Sequence, residues 1–251
     1  MVMKDCFEFY NNLINTFKEY IDGKIPLDSE IKISCRVLDP NEAIGNPKRK
    51  DFPLLNGKEV LIEADFNGFK GQAYTDSPAI FNGTISEVLN LDLEKNSSKA
   101  ILVATINAVV RFLEQSIKTV HCKDEEPTEC AKKISEFLRG KDYKKILLIG
   151  YQPAIADALN EDFELIVLDR NKDNVGKNIN NLVIYDGYKD SGHLFGKVDI
   201  ILSTGSTIAN GSIADILQNA KAYKKDIYFY GTTIAGAAHL LKLNRLCFEA
   251  H

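Results

Sequence analysis

The chain has 251 residues, of which 45% are hydrophobic and 26% charged, and its formal net charge is −4. These are the proportions of a soluble globular protein, without the basic footprint of a nucleic-acid binder. No apolar run approaches the roughly 20 residues of a membrane span.

In chain order, Phe7, Tyr10, Leu13, Ile14, Phe17 and Ile21 recur at helical spacing among polar residues, which predicts an amphipathic helix rather than a signal peptide. A cytoplasmic location is the expectation. Strands are predicted over residues 31–38, 59–66 and 69–74, the last two joined by Asn67-Gly68, a hairpin signal that implies antiparallel pairing. The connection over 39–58, with three prolines and two glycines, reads as a long loop, and its Lys48-Arg49-Lys50 cluster as a solvated face. A second loop spans 75–84. A short helix over 85–91 and a longer, all-round apolar helix over 100–117 close the first half.

From Lys144 onward apolar strands alternate with helices. Strands are expected at 146–149, 165–168, 182–185, 198–202 and 227–230, with a last one at 245–248. Strands apolar on both faces, interleaved with helices, predict a parallel sheet covered on both sides. The fold class expected is therefore α/β: a small α+β domain over 1–120, with antiparallel strands plus helices, followed by a Rossmann-like parallel-sheet domain over 121–251. In the doubly wound order the crevice opens between the first and fourth strands of such a sheet, at their C-terminal ends.

A near-repeat falls at that point. Gly205-Ser206-Thr207-Ile208-Ala209-Asn210-Gly211 is echoed by Gly231-Thr232-Thr233-Ile234-Ala235-Gly236-Ala237, each copy between a strand and a helix. Glycine lets backbone approach a ligand, and the first turn of a helix presents unpaired N–H groups, so the pair predicts a site for a small anionic ligand. Gly150, Gln152 and Pro153 after the first strand and Thr204 after the fourth belong to the same predicted site, with Ser206, Thr207, Asn210, Gly231, Thr232 and Thr233. The dinucleotide fingerprint is incomplete, since Gly150 is not followed by the other glycines of GxGxxG and Pro153 reads as the first residue of a helix. Asp169 does stand at the end of the second strand, where a ribose-binding acid belongs.

The five cysteines, Cys6, Cys35, Cys122, Cys130 and Cys247, form an odd set without secretory context and predict free thiols or metal ligands instead of a disulfide framework. His121, Cys122, Cys130 and Cys247 supply the donor types a transition metal prefers, though not at finger spacing, and Pro127 reads as a turn between Cys122 and Cys130. Of the other histidines, His239 reads as a packed helix residue, and no nucleophile elbow accompanies His193.

Assembled, these motifs resemble the two-domain family labelled "putative heavy-metal chelation", in which a small domain similar to the enolase N-terminal cap precedes a Rossmann-like domain. The resemblance rests on Thr204-Gly205-Ser206-Thr207 with Asn210-Gly211, on Tyr230-Gly231-Thr232-Thr233 and on Gly150-Tyr151-Gln152-Pro153. Gly71-Gln72-Ala73-Tyr74-Thr75, Asn107-Ala108 and the segment from His121-Cys122 to Cys130-Ala131 support it. It implies two domains facing each other across a cleft lined by the glycine loops. The function it implies is binding of a small molecule or metal complex there, with a transition-metal ion as the expected cofactor. A transferase-type enzyme using a nucleotide or S-adenosylmethionine-like cofactor is the alternative that the strand pattern and Asp169 leave open. A homodimer is the default assembly.

Overall fold

The computed structural model describes residues 5–27, 33–56, 60–179, 182–189 and 191–251. Residues 31 and 32 of the strand expected over 31–38, residues 57 and 58 of the expected loop, and residue 59 of the strand expected over 59–66 lie outside them. Helix α1 (Cys6–Ile21) opens on Asp5, whose carboxylate accepts the Glu8 N–H at 2.9 Å, and buries Phe9, Leu13, Phe17 and Ile21 on one face. Strand β1 (Ile33–Val37) follows. The connection after it is not a plain loop. Asp39 and Glu42 form a capping box that starts helix α2 (Pro40–Ile44), and helix α3 (Pro53–Asn56) follows. Strands β2 (Val60–Phe66) and β3 (Phe69–Thr75) form the expected hairpin, with Asn67 and Gly68 at φ 52° and 84°, as a primed turn requires.

Phe81–Gly83, expected within a loop, is strand β4, because it pairs antiparallel with β1. Helix α4 (Ile85–Leu89) leads to helix α5 (Asn96–Leu113), which is buried continuously from Ser98 to Val110. The first sheet is thus antiparallel throughout, in the order β3-β2-β1-β4.

Helix α6 (Glu126–Arg139) carries Pro127 within its first turn, where a missing N–H costs nothing, so Pro127 begins a helix rather than a turn. The second half then runs β5 (Lys145–Ile149), α7 (Pro153–Asn160), β6 (Glu164–Asp169), β7 (Asn178–Ile179), β8 (Leu182–Asp186), α8 (Ser191–Leu194), β9 (Ile200–Thr204), α9 (Ile213–Ala222), β10 (Asp226–Tyr230), α10 (Ala235–Leu241) and β11 (Arg245–Leu246). Its sheet has the order β11-β10-β9-β5-β6-β8-β7, parallel except for the β7 edge. Leaving out the short edge strand, this is the 3-2-1-4-5-6 order of a doubly wound sheet.

Alternation along β5 explains both coverings. Ile146 and Leu148 pack with Ile134 and Leu138 of α6 and Ile155 and Leu159 of α7, while Leu147 faces Leu194, Phe195, Ile216 and Ala220 on the opposite side. The expected fold class is borne out.

The apolar clusters run across residue 120. One joins Phe9, Phe17, Ile62 and the α5 residues to Ile208, Ile213, Phe229 and Ile234; another joins Leu38, Ile44 and Phe52 to Leu148, Leu202 and Tyr230. Helix α5 therefore sits between the first sheet and the loops of the second. Gly71 permits that approach: a Cβ there would lie 2.1 Å from the Ala108 nitrogen and 2.4 Å from the Ala104 carbonyl oxygen. No helix among the described residues is long and apolar enough to cross a membrane.

Candidate functional site: a cavity at the switch point

Strands β5 and β9 lie side by side, and their following segments diverge, β5 toward β6 and β9 toward β10. A cavity of about 520 Å³ opens at their C-terminal ends. Of the residues expected from sequence, Gly150, Gln152, Asp169, Thr204, Ser206, Thr207, Asn210, Gly231, Thr232 and Thr233 line it, as do His121, Cys122, Cys130 and Cys247. Pro153 and Gly205 are buried and do not line it.

Gly150 shapes the floor. Its φ is 86°, and a Cβ would fall 2.6 Å from Thr204 Cγ2, so glycine alone suits both the turn and the close pass of β9. The Tyr230 hydroxyl donates to the Gly150 carbonyl at 2.8 Å and fixes it from β10. Gln152 caps α7 by accepting the Ile155 N–H at 2.6 Å. Asp169 accepts the N–H of Tyr151 and of Asn171, both at 2.7 Å, and the Asn174 side-chain amide at 3.3 Å. Its first role is therefore to hold the two neighbouring loops together. Arg170, on the same rim, places its guanidinium 4.5 Å from the centre of the Tyr188 ring.

The two glycine loops differ from the expected pair of helix starts. Gly205–Ile208 is a 3-10 turn, and α9 begins only at Ile213. Thr204 and Ser206 share a hydroxyl hydrogen bond of 2.9 Å, the Thr207 hydroxyl donates to the Thr204 carbonyl at 2.8 Å, and Asn210 Oδ1 accepts the Ser212 hydroxyl at 2.7 Å. In the second loop α10 is a seven-residue helix. Its first N–H groups are committed, Ala235 to the Thr232 carbonyl at 2.9 Å and Gly236 to Asn107 Oδ1 at 2.7 Å. Thr233 Oγ1 accepts the Tyr74 N–H at 3.0 Å, which ties β3 to the loop. Small side chains here bend and pack the backbone, and much of their hydrogen bonding is internal.

The sulfur chemistry is gathered by the chain's topology. Residues 118–121 run beside β3: Thr119 accepts the Gln72 N–H with its carbonyl, and Gln72 Oε1 accepts the His121 N–H at 2.7 Å. The same stretch exchanges backbone hydrogen bonds with His251, at 2.8–2.9 Å. Cys247, just beyond β11, is thereby laid against α6, where Cys130 sits one turn inside the helix. Cys130, the Arg245 guanidinium and the Gly231 N–H lie close enough to the Cys247 sulfur to set its ionisation. These neighbours, Cys130 first among them, hold the Cys247 thiol below its ordinary value despite burial, and the nearness of Cys247 raises Cys130. Arg245 is itself anchored, donating to the Gly231 carbonyl and the Lys118 carbonyl, each at 2.9 Å. Burial pushes the Cys122 thiol up, with the nearby Cys247 charge adding to it.

His121 contributes less than its residue type suggested. Its Nδ1 lies 2.6 Å from the Cys122 carbonyl oxygen and the ring also meets the Ala43 carbonyl, while burial lowers its pKa. Among the described residues no three His, Cys, Asp or Glu side chains converge as ligands of one metal ion. The expected four-residue set is therefore not a preassembled tetrahedral site. What remains is a dithiol, a donor pair suited to a soft ion more than to zinc, which takes four ligands. Sequence reading missed Arg245; an arginine two residues before a cysteine was the available signal.

Fold and site together define an α/β protein with a ligand-sized cavity at the switch point of a doubly wound sheet. The profile of the family described as "Putative heavy-metal chelation" matches residues 133–242, which bears out the resemblance read from the sequence. Among solved structures the chain is similar to a protein of unknown function of that same family (DUF364) from Pyrococcus horikoshii, at 16% identity and a TM-score of 0.57, covering 92% of this chain and 82% of that one. It is similar also to a protein of unknown function of the family from Desulfitobacterium hafniense, at 12% identity and a TM-score of 0.55, covering 94% and 82%. Likeness at such identities speaks for the fold. A comparison with curated proteins found no match.

Proposed function

We propose that this is a cytoplasmic protein that binds a soft metal ion, or a small anionic complex of one, in the cavity between the β5 and β9 loops. The observation that carries the reading is the Cys130–Cys247 thiol pair on the wall of that cavity, with Cys122 beside it. Thiolates select soft ions, and Arg170 and Lys172, which line the same cavity, suit negative charge on a ligand. The family description points the same way. Elemental analysis of untagged protein isolated without chelator, beside a Cys130→Ser/Cys247→Ser variant, tests this. Near-stoichiometric soft metal in the wild type alone is the expected result; equal content in both, or none in either, counts against the metal part.

A second reading, a transferase-type enzyme with a nucleotide or S-adenosylmethionine-like cofactor, is favoured by one feature: Asp169 ends the second strand of the sheet, beside Arg170 stacked on Tyr188. It predicts thermal stabilisation by such a ligand, on the order of 3 kcal/mol at a hundredfold excess over Kd. No shift across a nucleotide and S-adenosylmethionine panel would remove it.

A further inference from the structure

We infer that Cys130 and Cys247 form a reversible disulfide, which makes the cavity available to a soft ligand only when the pair is reduced. The inference takes the proposed ligand site as its starting point and adds its regulation.

Three observations carry it. The two cysteines are free and lie beside one another, Cys130 on α6 and Cys247 just past β11, close enough for each thiol to shift the ionisation of the other. Both line a cavity of about 520 Å³, so a small oxidant reaches them without unfolding the chain. The segments that bear them are tied together near the pair: His251 Nε2 lies 2.8 Å from Glu126 Oε2, and Lys133 is ion-paired with Glu249. Glu126 and Lys133 flank Cys130 on α6, while Glu249 and His251 follow Cys247. Neighbouring thiols on segments tied together are what bridge formation needs, since a disulfide tolerates only a narrow geometry. Cys35 has a different place, buried in the core against Thr105, and Cys6 lies on α1 beside Lys99 and Gly211.

With a hydroperoxide as oxidant the chemistry balances. The Cys247 sulfur attacks the terminal peroxide oxygen, the O–O bond breaks, and an alcohol (water, for hydrogen peroxide) leaves, giving a sulfenic acid. The Cys130 sulfur then attacks the Cys247 sulfur. An S–S bond forms, the S–O bond breaks, and hydroxide leaves as water with the Cys130 proton. Two thiols lose two electrons to one peroxide bond. Once both sulfurs are in the bridge neither offers a thiolate to a metal.

The experiment is treatment of the full chain with substoichiometric to equimolar hydrogen peroxide, followed by intact mass and mapping of disulfide-linked peptides. The expected result is loss of two hydrogens, a single bridge joining the Cys130 and Cys247 peptides, and reversal by dithiothreitol. Cys122→Ser should behave as wild type. In Cys130→Ser the mass should instead rise by oxygen at Cys247. A bridge through Cys122, or oxygen addition without any bridge in the wild type, overturns the inference, and neither needs a variant to fold. Cadmium retention by the reduced protein, measured in parallel by dialysis, tests the ligand reading separately: its absence beside a mapped Cys130–Cys247 bridge overturns ligand gating while the bridge stands.

Discussion

Asn107 Oδ1 accepts the backbone N–H of Gly236 at 2.7 Å, joining the middle of α5 to the first turn of α10. The other end of the same amide donates to the carbonyls of Gln72, Thr232 and Thr233 at 2.8, 3.2 and 3.0 Å. One fully buried side chain therefore binds β3, α5 and the second glycine loop into a single unit. Asn107→Ala leaves a buried N–H and several carbonyls without this partner, at a cost of about 1–3 kcal/mol for each group left unsatisfied. Urea unfolding should show a loss of at least about 2 kcal/mol. A loss below about 0.5 kcal/mol, the range of an ordinary surface change, would show that the amide does not organise the loop.

Gly71 and the α5 backbone make a second, steric prediction. With a Cβ only 2.1 Å from the Ala108 nitrogen, Gly71→Ala must push α5 off β3, and overpacking of this kind costs about 1–3 kcal/mol or more. Gly192→Ala is the control, since nothing lies within 4 Å of its added Cβ. Thermal unfolding should separate the two variants clearly, with Gly192→Ala near wild type.

His121 gives the chain a pH dependence with a definite sign. Burial is the largest influence on its ring and lowers its pKa from 6.5, so the unfolded chain takes up the proton first. Stability is insensitive to this residue above 6.5 and falls as pH drops from there toward the folded value, by up to about 1.4 kcal/mol per pH unit within that window. Denaturation between pH 7 and pH 5 should show a shallower decline in His121→Gln than in wild type. An identical slope would mean that the ring is protonated as readily folded as unfolded.

Most of the fold could be read from the chain because its signals are local. The apolar runs around Leu147, Val167, Ile201 and Phe229 announce buried strands, and Asn67-Gly68 announces a hairpin, without reference to anything distant. The elements that went unread depend on partners or on small signals. Phe81–Gly83 is a strand only because β1 lies beside it, Asp39-Pro40-Asn41-Glu42 is a capping box inside what looks like a loop, and α6 opens on Pro127. The loop residues around the cavity were legible through their near-repeat, but their internal hydrogen bonds were not. Nor was the nearness of Cys130 and Cys247, which follows when β11 joins the sheet edge and Thr119 and Val120 pair with His251.

The surroundings of Cys247 predict selective reactivity. Its thiol lies below the ordinary value because Cys130, Arg245 and the Gly231 N–H surround it, whereas burial pushes Cys35 up to about 12 and raises Cys122 as well. Brief treatment with iodoacetamide at pH 7 should label Cys247 ahead of both, because the thiolate is the nucleophile. Peptide mapping would show this, and Arg245→Met should slow it several-fold. Faster labelling of Cys122 would contradict the assignment of the thiolate.

The most direct test of the central claim is a cadmium titration of the fully reduced chain, followed through sulfur-to-metal charge-transfer absorption, in wild type, Cys130→Ser/Cys247→Ser and Cys35→Ser. The account predicts one tight equivalent in wild type and Cys35→Ser, and its loss in the double variant. Equal binding by all three proteins, or by none, would contradict a soft-ligand site built on this thiol pair.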